Sequence, residues 1–151
     1  AQGFKMNIGY HNRKTVADVA HDYFDSVVAL AQWADCLIVA CPGGAATEHL
    51  VNAAVLQALG EHGLLINIAR GSVVDEAALL AALEAGHIAG AALDVFEREP
   101  HIPSLLLQSE KVVLTPHIGS ATRETRLDMD DLLLQNVAAF VQDGRLLTEV
   151  C

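Results

Sequence analysis

Gly63-Leu64-Leu65-Ile66-Asn67-Ile68, then Asp75-Glu76-Ala77-Ala78-Leu79-Leu80-Ala81-Ala82-Leu83-Glu84-Ala85-Gly86, then Ile88-Ala89-Gly90-Ala91-Ala92-Leu93-Asp94-Val95 follow one another with only short joints between them. The first and third stretches are brief apolar runs of the kind found inside a parallel sheet. The second has acids at its start, Ala and Leu through its length and Gly at its end, which predicts a helix. Strand, helix and strand in this order form a βαβ unit, so a parallel sheet with helical crossovers is expected.

The same alternation extends both ways. Upstream, Gly3 reads as the C-cap of a helix end, residues 6–10 as a short strand, and residues 25–34 as a helix whose apolar face holds Val27, Val28, Leu30, Ala31 and Ala34. Residues 36–40 form a strand stopped by Cys41-Pro42-Gly43-Gly44, and Asn52 caps a short helix through Leu59. Downstream, residues 111–114 are a fifth strand, and residues 120–142 a long helix before Gly144. No repeat or Pro/Ser-rich linker interrupts this order, so residues 1–151 are expected to form one unit without an internal boundary.

Composition narrows the function. Nine basic against nineteen acidic residues give a formal net charge of −10, which opposes the phosphate attraction on which nucleic-acid binding relies. Neither nucleic acid nor a membrane is an expected partner, and no apolar stretch reaches the ~20 residues of a spanning helix. Cys36, Cys41 and Cys151 are odd in number and lack metal-ligand spacing; they read as reduced thiols, two of them small core residues, in a cytoplasmic protein. The histidines show no i, i+4 ligand pair, and no metal is expected.

Three polar motifs each follow an apolar run, and ligands bind outside the carboxyl ends of strands in an open α/β sheet. Arg70, after Asn67-Ile68-Ala69 and before Gly71, can offer a planar fork of donors to a substrate carboxylate and a neighbouring keto oxygen. The alternative is a surface arginine paired with Asp75 or Glu76. His117, between Pro116 and Ile118-Gly119, can protonate a developing alkoxide; the alternative is a structural turn histidine. Glu97 and Glu99 compete to be its carboxylate partner, and Pro100, which restricts the residue before it, favours Glu99. Asp94 ends an apolar strand, where its carboxylate needs a donor such as a bound carboxamide. The turn after the first strand, His11-Asn12-Arg13-Lys14, has bases where an acid would accept from a ribose 2′-hydroxyl; Asn12, Arg13 and Lys14 therefore favour NADP over NAD, against the reading of a solvated basic turn. No G-x-G-x-x-G occurs, and with the abrupt start at Ala1 the phosphate turn is expected to lie upstream in a longer parent protein.

With these motifs in order, the chain resembles the D-isomer-specific 2-hydroxyacid dehydrogenase family. The matching strings are Asn67-Ile68-Ala69-Arg70-Gly71 with Val74-Asp75-Glu76, Gly90-Ala91-Ala92-Leu93-Asp94-Val95-Phe96 with Glu99-Pro100, and Thr115-Pro116-His117-Ile118-Gly119 with Ser120-Ala121-Thr122. The resemblance implies a Rossmann-like, doubly wound parallel sheet lacking its first strand and glycine-rich turn, with the substrate-binding domain absent. It implies that Arg70 binds substrate, Glu99 supports the histidine and His117 donates the proton. It also implies that Pro42, Ile68, Asp94, His117 and Gly119 line the NAD(P) site, Asp94 near the carboxamide. Within the family, the basic turn and residues 120–126 look most like NADP-preferring glyoxylate/hydroxypyruvate and 2-ketogluconate reductases. The expected activity is hydride transfer between NADPH and a small 2-oxoacid, in a homodimer, with weak or no turnover by this chain alone. A nucleotide-sensing, corepressor-like module and an inactive fragment of the fold are the other readings.

Overall fold

Six strands and five helices alternate along the computed structural model, which describes residues 1–149; Cys151 lies outside the described residues. The order is β1 (Gly9–Tyr10), β2 (Asp22–Tyr23), α1 (Val27–Trp33), β3 (Cys36–Val39), α2 (Ala53–Leu59), β4 (Leu64–Asn67), α3 (Glu76–Glu84), β5 (Gly90–Leu93), α4 (Ser104–Gln108), β6 (Val112–Leu114) and α5 (Arg123–Asp143). The chain divides into two units, Ala1–Pro116 and the residues from His117 onward.

In the first unit, every strand pairing is parallel. A four-stranded sheet runs β3-β4-β5-β6 in sequence order, and β1 pairs with β2 alone. The usual doubly wound order places the first strand between the second and the fourth. Here the described strands form two separate sheets instead, and a crevice of about 420 Å³ is bordered by β1 on one side and β3 on the other.

Register explains the core. Leu37, Leu65 and Ala91 stand side by side, as do Val39, Asn67 and Leu93, and all six are buried. Against this face α2 sets Val55, Leu56 and Leu59, and α3 sets Leu79, Ala82 and Leu83. The intervening row is apolar too, but Ile38 at one edge is 54% exposed and Val113 at the other is 67% exposed. Parallel strands carry apolar side chains on both faces, and the buried core of the first unit lies on one of them.

The helix boundaries follow local capping. Ser26, Asn52 and Asp75 each accept a backbone N–H of the first turn of α1, α2 and α3, which satisfies donors that have no partner within the helix. The expected helix at 25–34 therefore starts later, at Val27. The expected helix end at Gly3 is instead a 3₁₀ turn, Gln2–Phe4, and the strand expected at 6–10 contracts to Gly9–Tyr10. Two elements had no sequence signal: β2 is only two residues long and exposed, and α4 is a single turn. Burial, with Asp35 adding to it, pushes the Cys36 thiol above the usual range.

In the second unit, Thr122 caps α5 by accepting Thr125 N–H, and Asn136 ties the helix to the following turn through Leu147 and Thr148. The expected helix over 120–142 thus begins three residues later, and none of its residues is buried.

Candidate active site

Because all strands of the first unit are parallel, the segments after β1, β3, β4, β5 and β6 leave from the same end of their sheets: Asn12-Arg13-Lys14, Pro42, Ile68 to Arg70, Asp94 to Glu99, and Thr115.

The turn that presents Arg70 is built by a residue sequence reasoning passed over. Asn67, 1% exposed, accepts Ala69 N–H at 3.0 Å and donates to Arg70 O at 3.0 Å. A buried amide must be satisfied, and it closes the turn by bonding its own backbone. The signal was present in the sequence as a polar residue within an apolar strand. Arg70 is exposed and lies over Gly43, where an added Cβ would sit 2.7 Å from Arg70 Cγ. Its guanidinium donates to Ala69 O at 2.6 Å. The alternative pairing does not form: Asp75 caps α3, and Glu76 accepts Glu97 N–H at 2.7 Å.

Gly71, buried, meets the loop after β5. An added Cβ would lie 1.9 Å from Phe96 C and 2.3 Å from Glu97 N. The segment carrying Arg70 and the loop carrying Glu97 and Glu99 are thus in backbone contact. Within that loop the two carboxylates separate. Glu97 takes His49 Nε2 at 3.2 Å, whereas Glu99 Oε1 accepts Phe96 N–H at 2.9 Å across a tight turn. His49, read from sequence only as a surface or loop residue, is a half-exposed loop residue in the left-handed region (φ 47).

Asp94 is 8% exposed and accepts the Thr115 hydroxyl at 2.5 Å, a protein donor in the role that sequence reasoning offered to a ligand carboxamide. Glu76 is equally buried, at 8%, and burial is the main cause that raises its carboxyl above the usual range; the nearby Glu97 adds to this, while the Glu97 N–H and Arg98 oppose it. The folded chain therefore keeps the Glu76 proton to higher pH than the unfolded chain. Its contribution to stability is complete in acid and is lost as pH rises through the folded-state value. Glu76→Gln removes the buried charge, so thermal melts of that variant should lose part of the fall in stability above the ordinary carboxylate range. An unchanged pH–stability curve would count against this burial effect.

For a dinucleotide, the structure offers a crevice of suitable character. The crevice is bordered by Tyr10 at the end of β1, by His11 and Asn12 after it, and by Ala40, Cys41 and Pro42 after β3. It has the mixture of apolar wall and few polar groups that suits a cofactor. Asn12, Arg13 and Lys14 are exposed, with Asn12 Oδ1 accepting Arg13 N–H at 2.9 Å. Pro42 is exposed, its carbonyl taking the Thr47 hydroxyl at 2.8 Å, and Ile68 leaves an apolar surface 56% exposed. No G-x-G-x-x-G occurs in the sequence, so the crevice suits a cofactor without supplying a phosphate cradle of that kind. His117 and Gly119 open the second unit, both exposed, and His117 holds a left-handed backbone (φ 54) that non-glycine residues seldom adopt.

Comparison with known proteins gives one answer. Residues 1–119 match the family model for the NAD binding domain of D-isomer specific 2-hydroxyacid dehydrogenases. A glyoxylate/hydroxypyruvate reductase A of Arabidopsis thaliana is 50% identical over 150 residues, 99% of this chain and 48% of that protein. A 2-ketogluconate reductase of Gluconobacter oxydans is 44% identical over 147 residues, 97% of this chain and 47% of the relative. Among solved structures, an NADPH-dependent glyoxylate/hydroxypyruvate reductase of Sinorhizobium meliloti, in complex with NADP and malonate, is 47% identical with a TM-score of 0.97, covering 99% of this chain and 47% of that one. The chain thus spans about half the length of these relatives. On motif, fold and overall likeness together, it belongs to the D-isomer specific 2-hydroxyacid dehydrogenase family, with residues 1–119 forming NAD-binding-domain sequence.

Proposed function

We propose that the protein carrying this chain is a cytoplasmic, homodimeric NADPH-dependent reductase that converts a small 2-oxoacid, such as glyoxylate, hydroxypyruvate or 2-ketogluconate, to its D-2-hydroxy acid. The reading rests above all on Arg70, delivered by the Asn67 turn to the carboxyl end of β4 and backed through Gly71 against the loop that bears Glu99. The names of the relatives from Arabidopsis, Gluconobacter and Sinorhizobium support the substrate class and the cofactor.

Bound NADPH supplies the hydride. Arg70 takes the substrate carboxylate through its planar fork and polarises the adjacent keto oxygen. His117 gives its proton to that oxygen as negative charge develops on it, and Glu99 favours the protonated imidazole and holds its orientation. On the cofactor side, Asp94 accepts from the nicotinamide carboxamide beside its bond from Thr115, while Pro42, Ile68, His117 and Gly119 line the ring and ribose. Asn12, Arg13 and Lys14 meet the 2′-phosphate, where an acid would repel it.

The test is a chimera that joins this chain to the half of the Sinorhizobium reductase it does not cover. NADPH oxidation is expected with at least one of the three oxoacids, and with NADH less efficiently. No oxidation with any of them would end the proposal. The 151-residue chain alone should show weak or no turnover, since it lacks the phosphate turn; reductase rates equal to those of the chimera would refute that. Ultracentrifugation of the chimera should give a dimer, and a monomer would remove that part of the reading.

A further inference from the structure

Among the described residues of the first unit, Glu76 is the one buried carboxylate that the chemistry above leaves without a task. It stands in the first turn of α3, six residues after Arg70, and its Oε1 accepts Glu97 N–H at 2.7 Å across a separation of 21 residues. Next to that bond, Phe96 N–H donates to Glu99 Oε1 at 2.9 Å. Beside both, Gly71 fits against Phe96 and Glu97 so closely that no Cβ has room. From the other side, His49 holds the Glu97 side chain at 3.2 Å, while its own N–H donates to Ser72 O at 2.8 Å. The loop after β5 is therefore tied at successive points to the segment that begins with Arg70. A solvated loop needs no buried acid to hold one amide; the ordinary N-terminal duty on this helix is already met by Asp75, which accepts Ala78 N–H.

We propose that Glu76 is a positioning residue, whose bond to Glu97 N–H sets the Phe96–Glu99 turn, and so the Glu99 carboxylate, at a fixed place relative to Arg70. The proposal deepens the reductase reading, because it takes Glu99 as the support of the proton donor. Physically, a carboxylate bonded to a backbone amide out of water is a strong tether. It acts on Glu99 through the backbone of Phe96 and Glu97 alone. An amide oxygen in the same place can accept the same hydrogen bond, whereas a methyl group cannot.

Amide hydrogen exchange on the 151-residue chain tests the tether apart from any activity. In Glu76→Ala the Phe96 and Glu97 amides should exchange about tenfold faster or more, the order expected for losing a charge-assisted bond. The β5 amides of Ala91 and Ala92 should hold, and Glu76→Gln should restore protection to within about twofold. In the chimera, Glu76→Ala should lower kcat about tenfold with the KM for NADPH unchanged, and Glu76→Gln should recover it. Unchanged exchange at Phe96 in Glu76→Ala overturns the tether. Equal acceleration at every amide overturns it as well, since Glu76 would then serve stability only. If exchange responds but the chimera variants keep full kcat, the tether exists and its catalytic role is refuted. A chimera without reductase activity would instead defeat the reductase reading and leave the exchange result to judge the tether.

Discussion

Replacing His117 with Ala in the chimera is expected to lower kcat by about 10²–10⁴-fold, the usual contribution of a positioned proton donor, equivalent to roughly 3–5 kcal/mol of barrier. The methyl group that remains can neither donate nor be charged, so the developing alkoxide must take its proton from water. In the proposed site most of the groups that would hold NADPH belong to the first unit, so its KM should move much less than kcat. Added imidazole should restore part of the rate, because the lost function is a proton and not a shape. A variant that keeps its rate would sink the role given to His117. The same variant separates a nucleotide-sensing module from an enzyme, since only the enzyme loses its function with the imidazole.

Gly71→Ala is the substitution expected to cost most in stability. The new Cβ would fall 1.9 Å from Phe96 C and 2.0 Å from Phe96 O, and these are backbone atoms that no rotamer change can move. Phe96 is itself 5% exposed, and Glu76 holds Glu97 in place, so relief requires displacing the whole loop or breaking that bond. A loss of about 3 kcal/mol or more follows, at the upper end of overpacking effects, and the melting temperature should drop by roughly 10 °C. Gly43→Ala is the control. There the clash at 2.7 Å is with Arg70 Cγ, which a rotamer change can move, while Arg70 Cβ at 3.0 Å must give by a few tenths of an ångström, so stability should fall by about 1 kcal/mol, well short of the Gly71→Ala loss. Thermal melts of the two variants decide it, and a Gly71→Ala chain melting with the parent would show that the loop yields freely.

The βαβ pattern was legible in the sequence because its elements are locally determined. Asn52 caps its helix as read, Asp75 and Glu76 stand at the start of theirs, and the apolar runs around Leu65, Leu37 and Val113 became strands. The short pieces were not legible. Two residues, as in β2, or one turn, as in α4, are too few to show a period. The choice of Glu99 over Glu97 had only Pro100 behind it for a similar reason: both sit in one loop, and only the position of His49, 48 residues before Glu97, gives Glu97 a partner of its own.

Sequence alone therefore determined the family, the alternation of strands and helices, and the residue types of the proposed reductase site, since capping, periodicity and motif order all act over a few neighbouring residues. Tertiary structure decided which of those residues meet. That Asn67 shapes the Arg70 turn was half visible in one polar residue within an apolar strand; that Thr115 satisfies Asp94, that Gly71 must be glycine, and that Glu76 reaches Glu97 were not visible at all. Parallel strands bring residues about twenty positions apart to one end of a sheet, and the contacts made there have no local signature in the chain that makes them.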